Sequence, residues 1–320
     1  MKIYEECKGA HTIAIGGHVR PDGDCVGACL AMKMYLQKRM PEAKITVYLE
    51  KPSEIFSLLQ GFDEIDSTFA KPAEPVDVFL CLDCDKSRLG DAESIFDEAK
   101  KTVNIDHHVS NARGTGMVNY VVPTASSASE LVFDVLEEEY LDEEIAKALY
   151  VGIIHDTGVF HYSNTSPKTM QIGAKLISFG FDFTRIIGET FYEKTYHQNQ
   201  ILGRALLESI LFMNGQCIVS SIDKKTMDFY EVTSKDMDGI ASQLRQTKDV
   251  ECAIFMYEIE PLVYKVSLRS GGKVDVSKVA EYFGGGGHVR AAGCTLNGTN
   301  HDVINNLSVH IEKQLLEAER

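Results

Sequence analysis

The sequence predicts an α/β fold, in which a parallel-sheet domain is joined by a helical connector to a smaller α+β domain. At 320 residues, the chain exceeds the size of one typical hydrophobic core. In its first half, short apolar runs alternate with helical stretches, whereas a hairpin signal at Asn214-Gly215 begins a differently patterned second half. We therefore expect a first domain at 1–190, a helical connector at 191–208 and a second domain at 209–320.

The strands of the first domain are predicted from four short apolar runs, and a fifth follows at Asn119–Val122. Helical stretches at Ala28–Arg39 and Ala92–Lys100 lie between them, which is the pattern of a parallel sheet with crossover helices. The four runs are Thr12–Ile15, Ile45–Leu49, Val76–Leu82 and Thr102–Ile105. Helical segments then follow at Ser127–Glu139, Glu143–Ile154, Ser166–Phe179 and Asp182–Thr190, and the stretch 189–207 is predicted to be the helical connector.

The second domain is predicted to mix strands and helices. Two strands flank the Asn214-Gly215 turn, and an amphipathic helix with Val303, Leu307 and Ile311 on one face ends the domain. Between them we expect helices at Ser234–Arg245 and Val276–Tyr282 and strands at Glu251–Tyr257 and Leu262–Leu268.

Composition narrows the class of partner. The net charge is −15 (32 basic and 47 acidic residues), which disfavours long duplex DNA because phosphate neutralisation dominates such binding. No apolar run is long enough to span a bilayer, and the N-terminus lacks a signal-peptide pattern, so we expect no membrane partner and a cytoplasmic location. The eight cysteines are scattered, so we expect no structural zinc and no disulfide framework.

Histidine and aspartate side chains occur just after predicted strands, where parallel sheets usually carry their sites. Taken singly, each has a structural reading: Asp22 and Asp24 suit a turn, Asp83 and Asp85 suit helix caps, and His18 suits a strand end. Their joint occurrence at element ends favours a site for two divalent cations such as Mn²⁺, with Asp83 as the candidate bridging ligand. Because His107 and His108 are adjacent, we expect them to point in different directions, with at least one outside the metal shell.

These motifs resemble the DHH phosphoesterase superfamily. The segments GHVRPDGDCVGA, LDCD, NIDHHVSN, TASSASEL and GIIHDTGVF resemble its successive motifs, and VSLRSGGKVDVSKVAEYFGGGGHVRAAGC resembles the DHHA1 domain. Among superfamily members, the length and layout are most similar to bifunctional oligoribonuclease and 3′-phosphoadenosine-5′-phosphate (pAp) phosphatases, called nanoRNases. Stand-alone cyclic-di-AMP phosphodiesterases share this architecture.

The resemblance implies roles for individual residues. His18, Asp22 and Asp83 would hold one metal ion, and Asp24, Asp83, His107 and Asp156 would hold the other. His108 would lie near the scissile phosphate, with Asp106 orienting a histidine from the outer shell. His155 occupies a position where relatives often have threonine, which puts the surroundings of Asp156 in question.

In the second domain, four consecutive glycines precede His288 and are unsuited to a helix or strand interior unless the backbone approaches something closely. Arg269 and Ser270 offer a guanidinium and a hydroxyl to a phosphate. Arg269 could instead belong to a rim ion pair, and the glycines alone would suit a flexible loop. With the resemblance, we expect this domain to bind substrate across a cleft through Arg269, Ser270, Gly285, Gly286, Gly287 and His288.

The predicted function is a two-metal phosphoesterase acting on short oligoribonucleotides and pAp. A cyclic-di-AMP or pApA phosphodiesterase on the same scaffold is the alternative, and nothing in the sequence separates the two. A non-catalytic nucleotide sensor would be favoured by a missing metal ligand, and none is missing. A homodimer through the helical segment is left open, without assigned interface residues.

Overall fold

The computed structural model describes residues 1–318, and the chain divides into two compact units, Met1–Glu193 and Lys194–Arg320. Each unit is described separately below. No helix within residues 1–318 has the length and apolar character needed to cross a membrane.

The first unit is built on a five-stranded sheet in the order β2-β1-β3-β4-β5, in which every neighbouring pair is parallel. This confirms the predicted parallel α/β fold. The apolar runs form the strands because both faces of a parallel sheet are covered by helices, and every residue of the central runs 78–82 and 102–106 is buried. The strands are β1 (Thr12–Gly16), β2 (Lys44–Tyr48), β3 (Val78–Leu82), β4 (Thr102–Asp106) and β5 (Val118–Val121).

Seven α-helices accompany this sheet and cover its two faces. Ile15, Leu80 and Ile105 pack into the larger core, whereas Phe79 faces the smaller core with Phe96 on the other face. This alternation follows from the two-residue repeat of side chains along a strand. The helices are α1 (Ile3–Cys7), α2 (Gly23–Arg39), α3 (Glu93–Glu98), α4 (Ala128–Val135), α5 (Glu143–Asp156), α6 (Pro167–Ile177) and α7 (Phe183–Ile187).

The strand order places a topological switch point between β1 and β3. The chain leaves β1 towards β2 on one side and returns through β3 on the other, so the loops after β1 and β3 diverge at the carboxyl edge. Ligands of open α/β sheets bind in the crevice that such diverging loops leave. The side chains that follow β1, β3 and β4 are those that the sequence marked as site candidates.

The second unit contains a mixed six-stranded sheet in the order β10-β11-β9-β8-β7-β6, where only β7 and β8 are parallel. The predicted hairpin is confirmed, since β6 and β7 pair antiparallel around Asn214 and Gly215, both with positive φ. The strands are β6 (Ile210–Phe212), β7 (Cys217–Ile222), β8 (Cys252–Glu260), β9 (Val263–Ser270), β10 (Gly286–His288) and β11 (Ala291–Asn297).

Helices also cover both faces of the second sheet. Ile254 and Leu268 pack with the last two helices in one core, and Ala253 and Phe255 pack with the earlier helices in the other. The helices are α8 (Tyr196–Leu207), α9 (Lys224–Phe229), α10 (Ile240–Arg245), α11 (Val276–Tyr282) and α12 (Asn300–Ala318).

Two predicted helices are interrupted in the structure. The stretch 189–207 is not one helix: a π-helical turn at Gly188–Tyr192 ends at Glu193, and α8 begins afresh with Thr195 as its N-cap in a capping box. The segment Ser234–Arg245 divides because Gly239 adopts a left-handed conformation, with φ of 84°, which a continuing right-handed helix does not allow.

The glycine run forms a strand in its second half, under the condition that the sequence analysis set, a close approach of the backbone. Gly286–His288 is strand β10, an edge strand paired with β11. The glycines fit because a Cβ on Gly285 would lie 2.2 Å from the carbonyl oxygen of Gly293, and one on Gly287 would lie 2.5 Å from that of Ala291. The close backbone approach that glycine allows is therefore an approach to the neighbouring strand.

Candidate metal centre

Asp83 lies at the centre of the clustered histidines and carboxylates. It directly follows β3 and is 2% exposed, with its backbone N–H donating to the carbonyl of Ile105 at 3.0 Å. Its φ is 61°, a left-handed conformation that aspartate tolerates better than most residues but that is still costly. This backbone turn directs the carboxylate into the crevice between the loops.

The two oxygens of Asp83 face two different histidines. Nε2 of His18 is 3.4 Å from Oδ2, whereas Nε2 of His107 is 3.3 Å from Oδ1. Oδ1 is buried without a hydrogen-bond partner among the described residues. A buried carboxylate oxygen without a partner is costly, and a cation between it and the histidine nitrogens would offset that cost. The residues present therefore fit a bridged pair of divalent cations.

His18 is oriented by its own loop. Its Nδ1 lies 2.9 Å from the carbonyl oxygen of Val19, and a carbonyl only accepts, so Nδ1 carries a proton and Nε2 is the ring nitrogen that faces Asp83. That Nε2 also lies 3.6 Å from Oδ1 of Asp22. Burial lowers the pKa of His18, but Asp22 and Asp83 outweigh burial and raise it to about 11.

Asp24 is held by the N-terminus of α4. Its Oδ2 accepts from the backbone N–H of Ala128 at 2.6 Å, and its Oδ1 accepts from that of Ser129 at 2.9 Å. Burial, together with the charges of Asp83 and Asp156, raises the pKa of Asp24 well above its usual value. The TASSASEL segment thus supplies helix-end amides that fix this carboxylate beside the crevice.

Nε2 of His107 faces carboxylates from three different elements. It is 3.3 Å from Asp83, 3.7 Å from Asp156 at the end of α5 and 3.9 Å from Asp24 at the start of α2. Although burial lowers its pKa, these carboxylates raise the pKa of His107 to about 10. One imidazole nitrogen surrounded by three carboxylates is a ligand arrangement suited to a divalent cation such as Mn²⁺.

His108 lies beside His107, with ring centroids 4.6 Å apart, and its Nδ1 is 3.7 Å from Oδ1 of Asp83. The expectation that the two adjacent histidines point in different directions is therefore wrong. Asp106, which is fully buried, accepts at Oδ1 from the His108 ring at 2.7 Å and at Oδ2 from the Asn111 side chain at 2.7 Å. The carboxylate thus requires a proton on Nδ1 of His108 and fixes the orientation of the ring.

Replacement of Asp106 tests this orienting role. Burial raises the pKa of Asp106, but the hydrogen bonds from His108 and Asn111 prevail and hold the pKa below its usual value. Asp106→Asn keeps the side-chain shape but weakens the contact to His108, so we expect turnover to fall by about 10- to 100-fold, as for other outer-shell partners. Steady-state kinetics with metal analysis would check this, and a variant with wild-type turnover would contradict the role.

Asp156 is held at the C-terminal end of α5. The side-chain amide of Asn164 donates to its backbone carbonyl at 3.1 Å and reaches its Oδ2 at 3.4 Å. Burial raises the pKa of Asp156 to about 6, while His107 opposes this rise. His155 turns away, with its Nε2 3.0 Å from the hydroxyl of Thr190, and burial lowers its pKa to about 4.

Three compact groups of possible ligand atoms occur among the described residues, each with its atoms within 4.8 Å of one another. Two of them share Asp83. Asp22 belongs to none of the three, although it contacts His18, and its Oδ1 accepts from the backbone N–H groups of Asp24 and Cys25 as the N-cap of α2. The groups are His18, Cys25 and Asp83; Asp83, His107 and His108; and Asp24, His107 and Asp156.

In the second unit, cross-strand register aligns Arg269 with His288. Ala291 pairs with His288 on one side and with Arg269 on the other, and directly paired residues face the same side of a sheet. The Arg269 side chain donates through Nε to the hydroxyl of Ser242 at 3.2 Å.

Ser270 is directed differently from Arg269, because successive strand residues face opposite sides. Its buried hydroxyl donates to Oε1 of Glu251 at 3.1 Å, and the same oxygen accepts from the backbone N–H of Gly272 at 2.9 Å and of Lys273 at 2.7 Å. A contact between Ser270 and substrate stays a prediction, as do contacts of the exposed Gly285, Gly286 and Gly287.

The sequence analysis did not identify several residues that lie beside the predicted metal ligands. Asn111 and Asn164 fix Asp106 and Asp156 through side-chain amides. Cys81 and Cys84 flank Asp83 with Cys-x-x-Cys spacing, and their sulfurs lie 3.8 Å apart.

All eight cysteines are free and buried. The predicted helix cap at Asp85 is confirmed, because its side chain accepts from the backbone N–H of Ser87 at 2.8 Å.

Two family models match the chain. The model for the DHH family, N-terminal domain, matches residues 12–153, and the model for the DHHA1 domain matches residues 214–316.

Curated relatives and a solved structure extend this likeness. The "Bifunctional oligoribonuclease and PAP phosphatase NrnA" of Bacillus subtilis (strain 168) is 28% identical over 290 residues, spanning 89% of each chain. The "Cyclic-di-AMP phosphodiesterase GdpP" of the same organism is 26% identical over 308 residues, spanning 89% of this chain and 45% of that relative. A crystal structure of an exopolyphosphatase-related protein from Bacteroides fragilis has a TM-score of 0.89 at 24% identity, covers 99% of this chain and 96% of its own, and supports the fold alone.

Proposed function

Because the chain belongs to the DHH family of phosphoesterases and carries a DHHA1 domain, we propose that it hydrolyses short oligoribonucleotides and pAp. The observation that carries the proposal is the position of Asp83, whose two carboxylate oxygens face the Nε2 atoms of His18 and His107. The family assignment establishes a hydrolase, whereas the substrate and the metal are the proposed parts.

The proposed ligands divide around Asp83. His18 and Asp22 would join Asp83 at one cation, and Asp24, His107 and Asp156 would join it at the other. Imidazole nitrogens and carboxylate oxygens suit Mn²⁺, which we propose as the metal. When bound, the two cations would lower the pKa of an attacking water and neutralise charge on the phosphate oxygens.

The chain's own groups would orient the substrate and move a proton. His108 is 30% exposed in its side chain, so its Nε2 can reach a phosphate ester bound in the crevice. With Nδ1 committed to Asp106, this nitrogen would hydrogen-bond a phosphate or leaving oxygen in a fixed direction. Asp106 is a positioning residue in this scheme.

The charge of the chain favours short substrates. At −15, the protein repels a long polyanion, whose binding depends on many phosphate contacts. A substrate of two to a few nucleotides needs only local contacts and the cations. We propose that Arg269 and His288, on one face of the second sheet, contribute contacts to the end of the substrate, and that the protein acts in the cytoplasm.

A phosphodiesterase acting on cyclic-di-AMP or pApA is the second candidate. The observation favouring it is the 26% identity to the GdpP relative, which extends over 89% of this chain. It would use the same metal centre, so the two candidates differ only in the nucleotide that the protein accepts. A non-catalytic sensor is disfavoured because His18, Asp83 and His107 lie together.

A substrate panel tests the proposal. With Mn²⁺, we expect release of mononucleotides from di- to pentaribonucleotides and of phosphate from pAp, and rates that fall beyond about five nucleotides because added phosphates find no further contacts. Product analysis by ion-exchange chromatography would measure each rate.

Replacement of His288 tests the proposed contact to the end of the substrate. His288→Ala should raise KM or lower kcat without changing the metal content of the protein.

Two outcomes would contradict the proposal. Equal rates on trimers and on long single strands would exclude the preference for short substrates. Cleavage of cyclic-di-AMP or pApA, without cleavage of trimers or pAp, would establish the second candidate instead.

A further inference from the structure

Cys25 lies within the ligand group that also contains His18 and Asp83. Each of the three offers a ligand atom within 4.8 Å of the others, and all three residues are buried. From this grouping, and resting on the two-metal site proposed above, we propose that Cys25 supplies a thiolate to a thiophilic divalent cation, such as Cd²⁺, Zn²⁺ or Co²⁺, held by His18 and Asp83. The site formed by His18, Cys25 and Asp83 would then bind soft cations more tightly than it binds Mn²⁺.

The position of Cys25 is fixed by the start of α2. Oδ1 of Asp22 accepts from the backbone N–H of Asp24 and of Cys25, each at 3.1 Å, which holds Cys25 in the first turn. Side chains in a helix tilt towards its N-terminus, so the thiol is directed back to the loop that carries His18.

The loop after β1 leaves room for this sulfur. An ideal Cβ on Gly17 would lie only 2.2 Å from Sγ of Cys25, so the lack of a side chain at Gly17 allows the thiol to approach the loop. Cys25 itself is fully buried. The sulfur is therefore held beside the crevice.

The Asp83 carboxylate that belongs to this group is buried and has one oxygen without a partner. Asp83 is 2% exposed, and its Oδ2 lies 3.4 Å from Nε2 of His18, whereas its Oδ1, on the His107 side, has no hydrogen-bond partner among the described residues. The thiol of Cys25 interacts with that of Cys29, one turn further along α2, and a thiol-to-thiol hydrogen bond is weak. A cation would replace that bond with a metal–sulfur bond.

The sulfur and nitrogen donors of Cys25 and His18 determine which cation the site prefers. Thiolate and imidazole together favour Zn²⁺ and other thiophilic ions, whereas Mn²⁺ gains little from sulfur. On binding, the S–H bond of Cys25 breaks, its electron pair enters the metal–sulfur bond, and the proton leaves to solvent. No electrons are transferred, so no oxidant or reductant is needed.

Spectroscopy of the cadmium-loaded full chain tests the proposal. Titration of the metal-free protein with Cd²⁺ should produce a thiolate-to-cadmium charge-transfer band in the ultraviolet, and X-ray absorption should place one sulfur around a cadmium ion. In Cys25→Ala both signals should be lost, with Cd²⁺ affinity about 10- to 100-fold weaker, the size seen when site partners are removed. Cys84→Ala is the matched control, because Cys84 flanks Asp83 but lies outside the group, and it should keep both signals.

The result that would overturn the proposal is cadmium bound without sulfur in the wild-type protein, or a charge-transfer band that persists in Cys25→Ala. The wild-type measurement stands even where a variant does not fold. Hydrolysis of short oligoribonucleotides with Mn²⁺ is measured separately on the wild-type protein. A sulfur signal without hydrolysis would therefore count against the proposed function alone, and hydrolysis without a sulfur signal would count against the role of Cys25 alone.

Discussion

Asp83→Asn should abolish hydrolysis while the protein stays folded. Asparagine has nearly the same size and tolerates the φ of 61°, but it cannot bridge two cations as a carboxylate does. We expect kcat to fall by about a thousandfold or more, equivalent to ~4 kcal/mol of transition-state stabilisation. Metal analysis should show fewer than two ions per chain, since the bridging group serves both proposed sites.

Thermal unfolding separates this prediction from a loss of structure. The metal-free Asp83→Asn protein should still unfold cooperatively, but at a lower temperature than the metal-free wild-type protein, because asparagine loses the charge interaction with the protonated rings of His18 and His107. Asp85→Asn is the matched control: Asp85 caps a short helix two residues away, and asparagine caps equally well. Near-normal turnover of folded Asp83→Asn would exclude the bridged two-metal mechanism.

Removal of divalent cations should have an effect of similar size. After dialysis against a chelator, we expect hydrolysis to fall at least about a thousandfold and to return with Mn²⁺, because water activation and charge neutralisation depend on the cations. Mn²⁺ at about 100 times its dissociation constant should add ~2.7 kcal/mol to the stability of the first unit, raising its melting temperature by roughly 5 to 10 °C. Differential scanning calorimetry would measure this shift.

The affinity of the metal-free protein for Mn²⁺ should also depend on pH. In the metal-free protein, His18 and His107 have pKa values raised to about 11 and about 10, so both carry protons at neutral pH. A cation must displace these protons, and Mn²⁺ affinity should therefore rise as pH rises, by about tenfold or more per pH unit. Full turnover in excess chelator, or an affinity independent of pH, would contradict this description of the centre.

The local sequence pattern was sufficient to predict the layered α/β architecture of the first unit. Uninterrupted apolar runs such as Val78–Leu82 specify strands buried on both faces, and the helical stretches between them require a parallel sheet. It also placed Asp83 and His107 directly after strands, because the end of an apolar run can be located along the chain. For the same local reason, the hairpin at Asn214-Gly215 was predictable.

Elements whose extent depends on one backbone angle or one neighbour were less predictable. Gly239 ends a helical pattern through its left-handed conformation, and β10 forms because Gly285 and Gly287 fit closely against β11. Neither outcome follows from local propensity, since glycine is disfavoured in strands until a neighbouring strand needs the space.

Which groups meet at the metal centre depends on long-range packing. Asp24 and the α4 amides of Ala128 and Ser129 are more than 100 residues apart, and Asn164 reaches Asp156 from a separate loop. Cys25 joins His18 and Asp83 because α2 starts where β1 and β3 diverge. The sequence specifies which side chains can bind a metal ion. The distances between those side chains depend on strand order and loop direction, which long-range packing sets.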